Sequence, residues 1–233
     1  MIGILGGMGT QAGLDFCNKI VVLNRGKTDQ QYPKFVLYNK SDTPKRPENL
    51  KKYYNVLKEL VAGCLLLQKN NCKFIVMPCN TAHYWHDDIQ KRIKIPLLSM
   101  PKEVYFHTKK SCKKNSKIGI LCTEATIEAK VYSRYFDKDF NLVSPGKTLQ
   151  KKSVNKAIRY VKLGKIKEAE KILRPAVNYL MKIKCKKIIL GCTELPIAIF
   201  AYKSFKKIKE SKIFIDPNLL LASVSMQKYK KIN

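Results

Sequence analysis

The chain repeats itself. Ile2-Gly3-Ile4-Leu5 returns as Ile118-Gly119-Ile120-Leu121, an offset of 116 residues. Cys72-Lys73-Phe74-Ile75-Val76-Met77-Pro78-Cys79 returns as Cys185-Lys186-Lys187-Ile188-Ile189-Leu190-Gly191-Cys192, an offset of 113. Two matches in the same order at nearly equal offsets point to the duplication of one ~115-residue unit, the size of a small domain. A weaker third pair sets Lys94-Ile95-Pro96-Leu97-Leu98-Ser99 against Lys212-Ile213-Phe214-Ile215-Asp216. A chain of 233 residues holds two such copies, which excludes a tiny disulfide scaffold.

Each copy alternates short apolar runs with longer amphipathic ones. In the first, strands are expected at 2–5, 35–38, 74–78 and 96–98, and helices at 11–24, 49–69 and 81–93. The second reads as strands at 118–121, 141–143, 187–190 and 213–215, with helices at 124–135, 150–162, 165–183, 194–207 and 217–230. Apolar runs of this length without polar alternation suit a parallel sheet buried on both faces. The expectation is therefore two pseudo-symmetric, doubly wound α/β lobes. Residues 1–98 form the first and 99–216 the second, with helix 217–233 packing back on the first. Pro101 and the lysine-rich stretch 109–117 mark the crossover.

Charge is the unusual part of the composition. Lys and Arg number 46 against 17 Asp and Glu, a net charge of +29, in a chain that is otherwise ordinary at 45% hydrophobic residues. Such an excess raises nucleic acid, anionic lipid and acidic substrates as partners. Six of the basic residues are Arg, the side chain that best suits phosphate and base edges. The lysines are scattered, without the aromatic interleaving that stacks bases, so a solvated lysine surface is preferred over a nucleic-acid site. No basic leader precedes Ile2-Gly3-Ile4, and no apolar run reaches the ~18 residues of a membrane span. The eight cysteines then read as reduced thiols in a cytoplasmic protein.

In open α/β sheets ligands gather at the carboxyl ends of the strands. Four segments stand there: Gly6-Gly7-Met8-Gly9-Thr10, Cys79-Asn80-Thr81-Ala82-His83, Cys122-Thr123-Glu124 and Cys192-Thr193-Glu194-Leu195-Pro196. Gly7-x-Gly9-x-x-Ala12 matches a relaxed dinucleotide fingerprint. The acid expected on the ribose is missing, because the second strand ends in Tyr38-Asn39-Lys40 and the first acid is Asp42. A close backbone approach to a small anionic ligand is the preferred role for these glycines. Cys72 and Cys185 begin the strands that Cys79 and Cys192 follow, so they read as core thiols, as do Cys17 and Cys64. Cys79 and Cys192 instead lie at strand-to-helix turns, where the positive end of a helix should lower a thiol's pKa toward neutrality.

Three chemistries compete for this pair. A metal site would add His83 or His86, but Cys-x-x-Cys and His-x3-His spacings are lacking. A single nucleophilic cysteine leaves its duplicate unexplained. Two thiols approaching one carbon from opposite sides explain the duplication: one removes a proton and the other supplies one, a racemisation that needs no prosthetic group. Met8, Asn80, Thr81, Thr123 and Thr193 are placed to bind the α-carboxylate and the enolate-like charge that develops. His83, His86 and His107 read as structural.

Gly6-Gly7-Met8-Gly9, Cys79-Asn80-Thr81-Ala82-His83, Gly191-Cys192-Thr193-Glu194 and Ile215-Asp216-Pro217 resemble the aspartate/glutamate racemase superfamily, and specifically its aspartate racemase branch. The resemblance runs over essentially the whole chain. It implies two α/β lobes with one catalytic cysteine from each facing an interlobe cleft, catalysis without pyridoxal phosphate or any other cofactor, and a homodimer. Glu194 marks the branch, since glutamate racemases usually carry His there, and is counted with the substrate-binding residues. By the same resemblance Arg46, in Pro44-Lys45-Arg46-Pro47, and Lys162, in Val161-Lys162-Leu163-Gly164, hold the distal carboxylate of a small anionic amino acid. Thr10-Gln11 departs from the branch, where Pro followed by Glu or Leu is usual, and alters the first loop. Aspartate is the first substrate implied. Other members of the superfamily, such as maleate isomerases and hydantoin racemases, and a non-catalytic polyanion binder on the same scaffold are the competing readings.

Overall fold

The computed structural model describes residues 1–46, 53–201 and 212–232. The chain divides into two compact units, Met1–Glu103 with Asn218–Asn233, and Val104–Pro217. The first contains β1 (Ile2–Gly6), α1 (Thr10–Leu23), β2 (Phe35–Asn39), α2 (Tyr53–Lys69), β3 (Phe74–Val76), a 3-10 turn at Thr81–Trp85 and α3 (His86–Gln90). Helix α4 (Met100–Ser111) carries the chain across the boundary. The second unit contains β4 (Lys117–Cys122), α5 (Glu124–Glu128), α6 (Ser133–Phe136), β5 (Asn141–Val143), α7 (Lys147–Leu149), a π-helical segment Gln150–Asn155, α8 (Lys156–Lys162), α9 (Ile166–Lys182), β6 (Lys187–Gly191), α10 (Glu194–Phe200) and β7 (Phe214–Ile215). The last helix, α11, is Pro217–Ile232. The beginning of the expected helix 49–69, Pro47 beside Arg46, and the end of the expected helix 194–207 lie outside the described residues.

Both sheets are wholly parallel and share one order. The first runs β2-β1-β3 and the second β5-β4-β6-β7. The expected strand 96–98 is reduced to a bridge between Ile75 and Leu97. Pro96 has no N–H to give a ladder, and the segment is held by Ile75 N–H on Pro96 O at 2.8 Å and Leu98 N–H on Ile75 O at 2.9 Å. It stands where β7 stands beside β6 in the second sheet.

Burial on both faces explains the unbroken apolar strands. Ile2, Ile4, Phe74 and Val76 pack with Phe16 and Ile20 of α1 and with Leu221, Ala222 and Met226 of α11. The alternate side chains, Leu5, Ile75 and Met77, enter a second core with Leu57, Leu60, Cys64 and Leu67 of α2. In the other unit Leu121, Ile188 and Leu190 pack against Leu173, Val177 and Leu180 of α9. Each of the Leu, Ile, Val, Phe and Met side chains among these removes roughly 1.5–3 kcal/mol worth of apolar surface from water. The duplication extends into this packing. A Cβ on Gly3 would lie 3.1 Å from Cys72 Sγ and 3.2 Å from Leu67, and one on Gly119 would lie 2.9 Å from Leu180 and 3.4 Å from Cys185 Sγ. The same three-residue contact is thus built twice.

Two local expectations are corrected, and a third gains detail: the chain that runs from Pro101 through the division between the units is helix α4. Pro101 sits in its first turn, where the missing N–H has no helical partner to lose, and Lys109 and Lys110 in its last turn complement the helix dipole. The helix expected at 81–93 is a 3-10 turn followed by the short α3, and that at 124–135 is split into α5 and α6 by Lys130 at φ 50°. No helix among the described residues is long and apolar enough to cross a membrane.

Candidate active site

In the first unit the segments after β1, β2 and β3 carry Met8, Arg46 and Cys79-Asn80-Thr81. These strands are neighbours and parallel, so their carboxyl ends share one sheet edge. Met8 and Cys79 belong to one packed cluster, and Cys79, Asn80 and Thr81 are all buried. The Cys79 N–H donates to Met77 O at 2.8 Å, which closes the turn after β3. The expected long helix after Cys79 is absent; the chain enters the Thr81–Trp85 3-10 turn instead.

His83 is fully buried in that turn. Its Nδ1–H donates to Cys79 O at 2.8 Å, and its Nε2 accepts the Met100 N–H at 3.1 Å. These two partners fix the neutral Nδ1–H tautomer. His86 stacks on it at 6.0 Å between ring centroids.

Within the glycine loop Gly7 packs on protein, while Gly9 faces open space. Gly7 has φ +87°, and a Cβ there would lie 2.3 Å from the carbonyl carbon and oxygen of Lys40. Lys40 is itself buried, with its ammonium 2.8 Å from Glu59 and 2.9 Å from Asp42. Hydrogen bonds from that ammonium to Glu59 and then Asp42 hold Lys40 charged well above the usual lysine range. Lys40 O accepts from Thr43 Oγ1 at 2.8 Å, and Thr43 O and Pro44 O accept from Arg46 Nη1 at 3.2 and 3.1 Å. Arg46 therefore lies folded on its own loop.

In the second unit β4 and β6 are neighbours and end in Cys122-Thr123 and in Gly191 followed by Cys192-Thr193-Glu194. Thr123 caps α5, its Oγ1 accepting the Thr126 N–H at 3.3 Å. Cys122 is fully buried, which raises its thiol pKa. The Cys192 thiol donates to Glu194 Oε2 at 2.9 Å, and Thr193 Oγ1 donates to the same oxygen at 3.3 Å. Lys162 Nζ lies 3.5 Å from Glu194 Oε1, so Lys162 pairs with Glu194. Lys162, Cys192, Thr193 and Glu194 are thereby brought together.

The lowered thiol expected at Cys192 is corrected. Burial pushes its pKa well above the ordinary value, and the Glu194 charge and hydrogen bond push it further. Lys162 and the Glu194 backbone act in the opposite sense, and they lose. Burial, together with a carboxylate at 2.9 Å, outweighs the N-terminus of a seven-residue helix. Sequence reasoning gave Lys40 no role, and it read His83 as structural without its burial. His83 stands four residues after Cys79, but its burial depends on the turn being 3-10. Lys40 meets Glu59 across nineteen residues, a contact no local pattern announces. The eight cysteines are all unbridged. Among the described residues no three His, Cys, Asp or Glu side chains gather as a metal-binding group.

The family model for Asp/Glu/Hydantoin racemase matches residues 5–223. A broad-specificity amino-acid racemase, RacX, of Bacillus subtilis is 30% identical over 138 residues, which are 58% of this chain and 59% of that protein. The match thus spans about three fifths of that relative's length. Among solved structures, the Picrophilus torridus aspartate racemase superposes with a TM-score of 0.83 at 28% identity, covering 98% of this chain and 94% of the other. An aspartate racemase homologue from Pyrococcus horikoshii has a TM-score of 0.79 at 24% identity, covering 98% of each chain, and shares the fold. With the family model spanning both sheets and all four strand-end segments, the chain belongs to the Asp/Glu/Hydantoin racemase family.

Proposed function

We propose that the protein is a cofactor-independent amino-acid racemase that interconverts L- and D-aspartate, with Cys79 and Cys192 as its two acid/base groups. The observation that carries this reading is positional. Cys79 follows β3 and Cys192 follows β6, the equivalent strands of two sheets with the same order. A duplicated fold that keeps a buried thiol at the same strand end in both copies suits a reaction whose two halves are mirror images. One thiolate takes the Cα proton, and the electron pair of that C–H bond delocalises into the α-carboxylate. The other thiol then gives its proton to the opposite face of Cα, so nothing is oxidised or reduced. Met8, Asn80, Thr81, Thr123 and Thr193 hold the α-carboxylate in this reading, and Arg46, after leaving its loop carbonyls, and Lys162, from its place beside Glu194, meet the distal carboxylate. The likeness to an aspartate racemase over nearly the whole chain supports aspartate as the substrate.

One observation favours a broader substrate range: Arg46 and Lys162 both have protein partners in this structure, Arg46 on its loop carbonyls and Lys162 on Glu194. The test is incubation of L- and D-aspartate, then a panel of amino acids, in D2O, with Cα exchange and optical rotation followed together. Exchange with loss of rotation for aspartate is expected. Exchange across many amino acids would replace aspartate with a broad range, and absence of exchange with every one would overturn the racemase.

A further inference from the structure

The Glu194 carboxylate stands between two groups of different kinds. One oxygen accepts the Cys192 S–H at 2.9 Å and the Thr193 O–H at 3.3 Å, and the other faces the Lys162 ammonium at 3.5 Å. Glu194 is mostly buried, at 13% side-chain exposure, while Lys162 is 58% exposed. A carboxylate so placed has more to do than meet a substrate: as an anion it would repel the carboxylates of aspartate, and one of its oxygens is already engaged by the thiol. We propose that Glu194 is the positioning residue for Cys192, holding it as the proton donor of the resting protein, and that Lys162 is the counter-charge that lets Cys192 exchange that role. This rests on the two-thiol racemase reading and deepens it.

The chemistry follows from charge. When Cys192 gives its proton to Cα, the S–H bond breaks and a thiolate is left beside a carboxylate. Two like charges at hydrogen-bond distance disfavour each other strongly. Lys162 offsets that repulsion, so the thiolate state can be reached and can serve as the base in the reverse direction. Glu194 and Lys162 act electrostatically on Cys192, and Cys192 in turn acts on the fully buried Tyr132. Burial and Glu194 favour the thiol; Lys162 opposes them. Two residues after Cys79 the duplicate carries Thr81 where Glu194 follows Cys192, so this carboxylate serves one thiol of the duplicated pair. An equilibrium constant of one between enantiomers still forces equal kcat/KM in both directions, so the asymmetry must be read in kcat and KM separately.

The experiment is alkylation of Cys192 by iodoacetamide as a function of pH in the full chain, read by peptide mass, with Cys79 in the same digest as reference. Glu194→Gln keeps a hydrogen-bond acceptor but removes the charge, and the midpoint should fall by about one pH unit or more. Lys162→Met should move it the other way. Opposite shifts are a signature that lost packing alone does not produce. Midpoints that stay put, or that move together, overturn the proposal. Should Glu194→Gln fail to fold, Lys162→Met at its exposed position decides the matter by the sign of its shift. Cys192→Ala, assayed in D2O alongside, separates the two readings. If it abolishes racemisation while the midpoints stay put, the inference fails and the racemase stands. If racemisation persists, the two-thiol reading fails and takes the inference with it.

Discussion

The His83 imidazole holds the Cys79 carbonyl with its Nδ1–H at 2.8 Å while accepting the Met100 N–H on Nε2 at 3.1 Å, so one buried ring ties the turn after β3 to the start of α4. Both bonds are buried, and each leaves an unsatisfied backbone group if the ring is removed. His83→Ala should cost about 2–4 kcal/mol of stability, from the lost bonds and the space left behind. In the aspartate assay the same variant should lower kcat more than it raises KM, because the ring sets where Cys79 stands and does not meet substrate. Urea denaturation and steady-state kinetics check the two parts. An unchanged kcat in a destabilised protein would reduce His83 to a structural residue.

Four cysteines allow a matched comparison. Cys79→Ala and Cys192→Ala should each abolish racemisation. Cys72→Ala and Cys185→Ala should change stability alone, by about 1–2 kcal/mol, because those thiols fill the spaces beside Gly3 and Gly119 at the opposite ends of the same strands. Thermal melts and the D2O exchange assay on all four variants give the result. Full activity in either of the first two would remove the thiols from the mechanism.

Much of the fold was legible because duplication multiplies weak signals. Ile2-Gly3-Ile4-Leu5 alone is any buried strand; paired with Ile118-Gly119-Ile120-Leu121 it fixes two sheets with equivalent centres. The strand-end position of Cys79 and Cys192 followed from the same pairing. Their surroundings did not. Glu194 was visible two residues after Cys192, yet sequence alone cannot say whether its side chain turns toward the thiol or away. Helix α4 was hidden by Pro101, a residue that ends a helix when it lies in the interior and is tolerated in the first turn. Segment 96–98 has the apolar character of a strand, and Pro96 withholds the hydrogen bond that would complete one.

The glycine loop yields a contrast between neighbours. Gly7→Ala would place a methyl 2.3 Å from the Lys40 carbonyl at φ +87°, where the backbone itself must move. Lys40 anchors the loop that carries Arg46, so the damage should reach substrate affinity as well as stability: a loss of about 2 kcal/mol or more with a raised KM for aspartate. Gly9 has open space where a Cβ would be added, and Gly9→Ala should cost about 1 kcal/mol or less, as expected at the N-cap of α1. Equal effects of the two substitutions, in melts and kinetics, would contradict this contrast.

Asp139 supplies a test of pH dependence away from the cysteines. It accepts the Tyr105 O–H and faces the Lys109 ammonium at 3.1 Å, and Tyr105 packs edge-on against Phe136 and Phe140. The Tyr105 hydrogen bond, then Lys109, holds the Asp139 carboxyl below the usual carboxylate range. A carboxyl depressed in the folded state binds protons more readily when unfolded. Its contribution to stability is therefore present above the unfolded value of about 3.9 and is lost as pH falls through the lower folded value. Asp139→Asn should be less stable than the wild type by a constant margin from pH 7 down to about pH 5, and the margin should narrow below about pH 4. Urea denaturation at several pH values measures it. A margin that persists unchanged at the acid end would show that the hydrogen-bond geometry, and not the charge, is what stabilises the Tyr105–Asp139 contact.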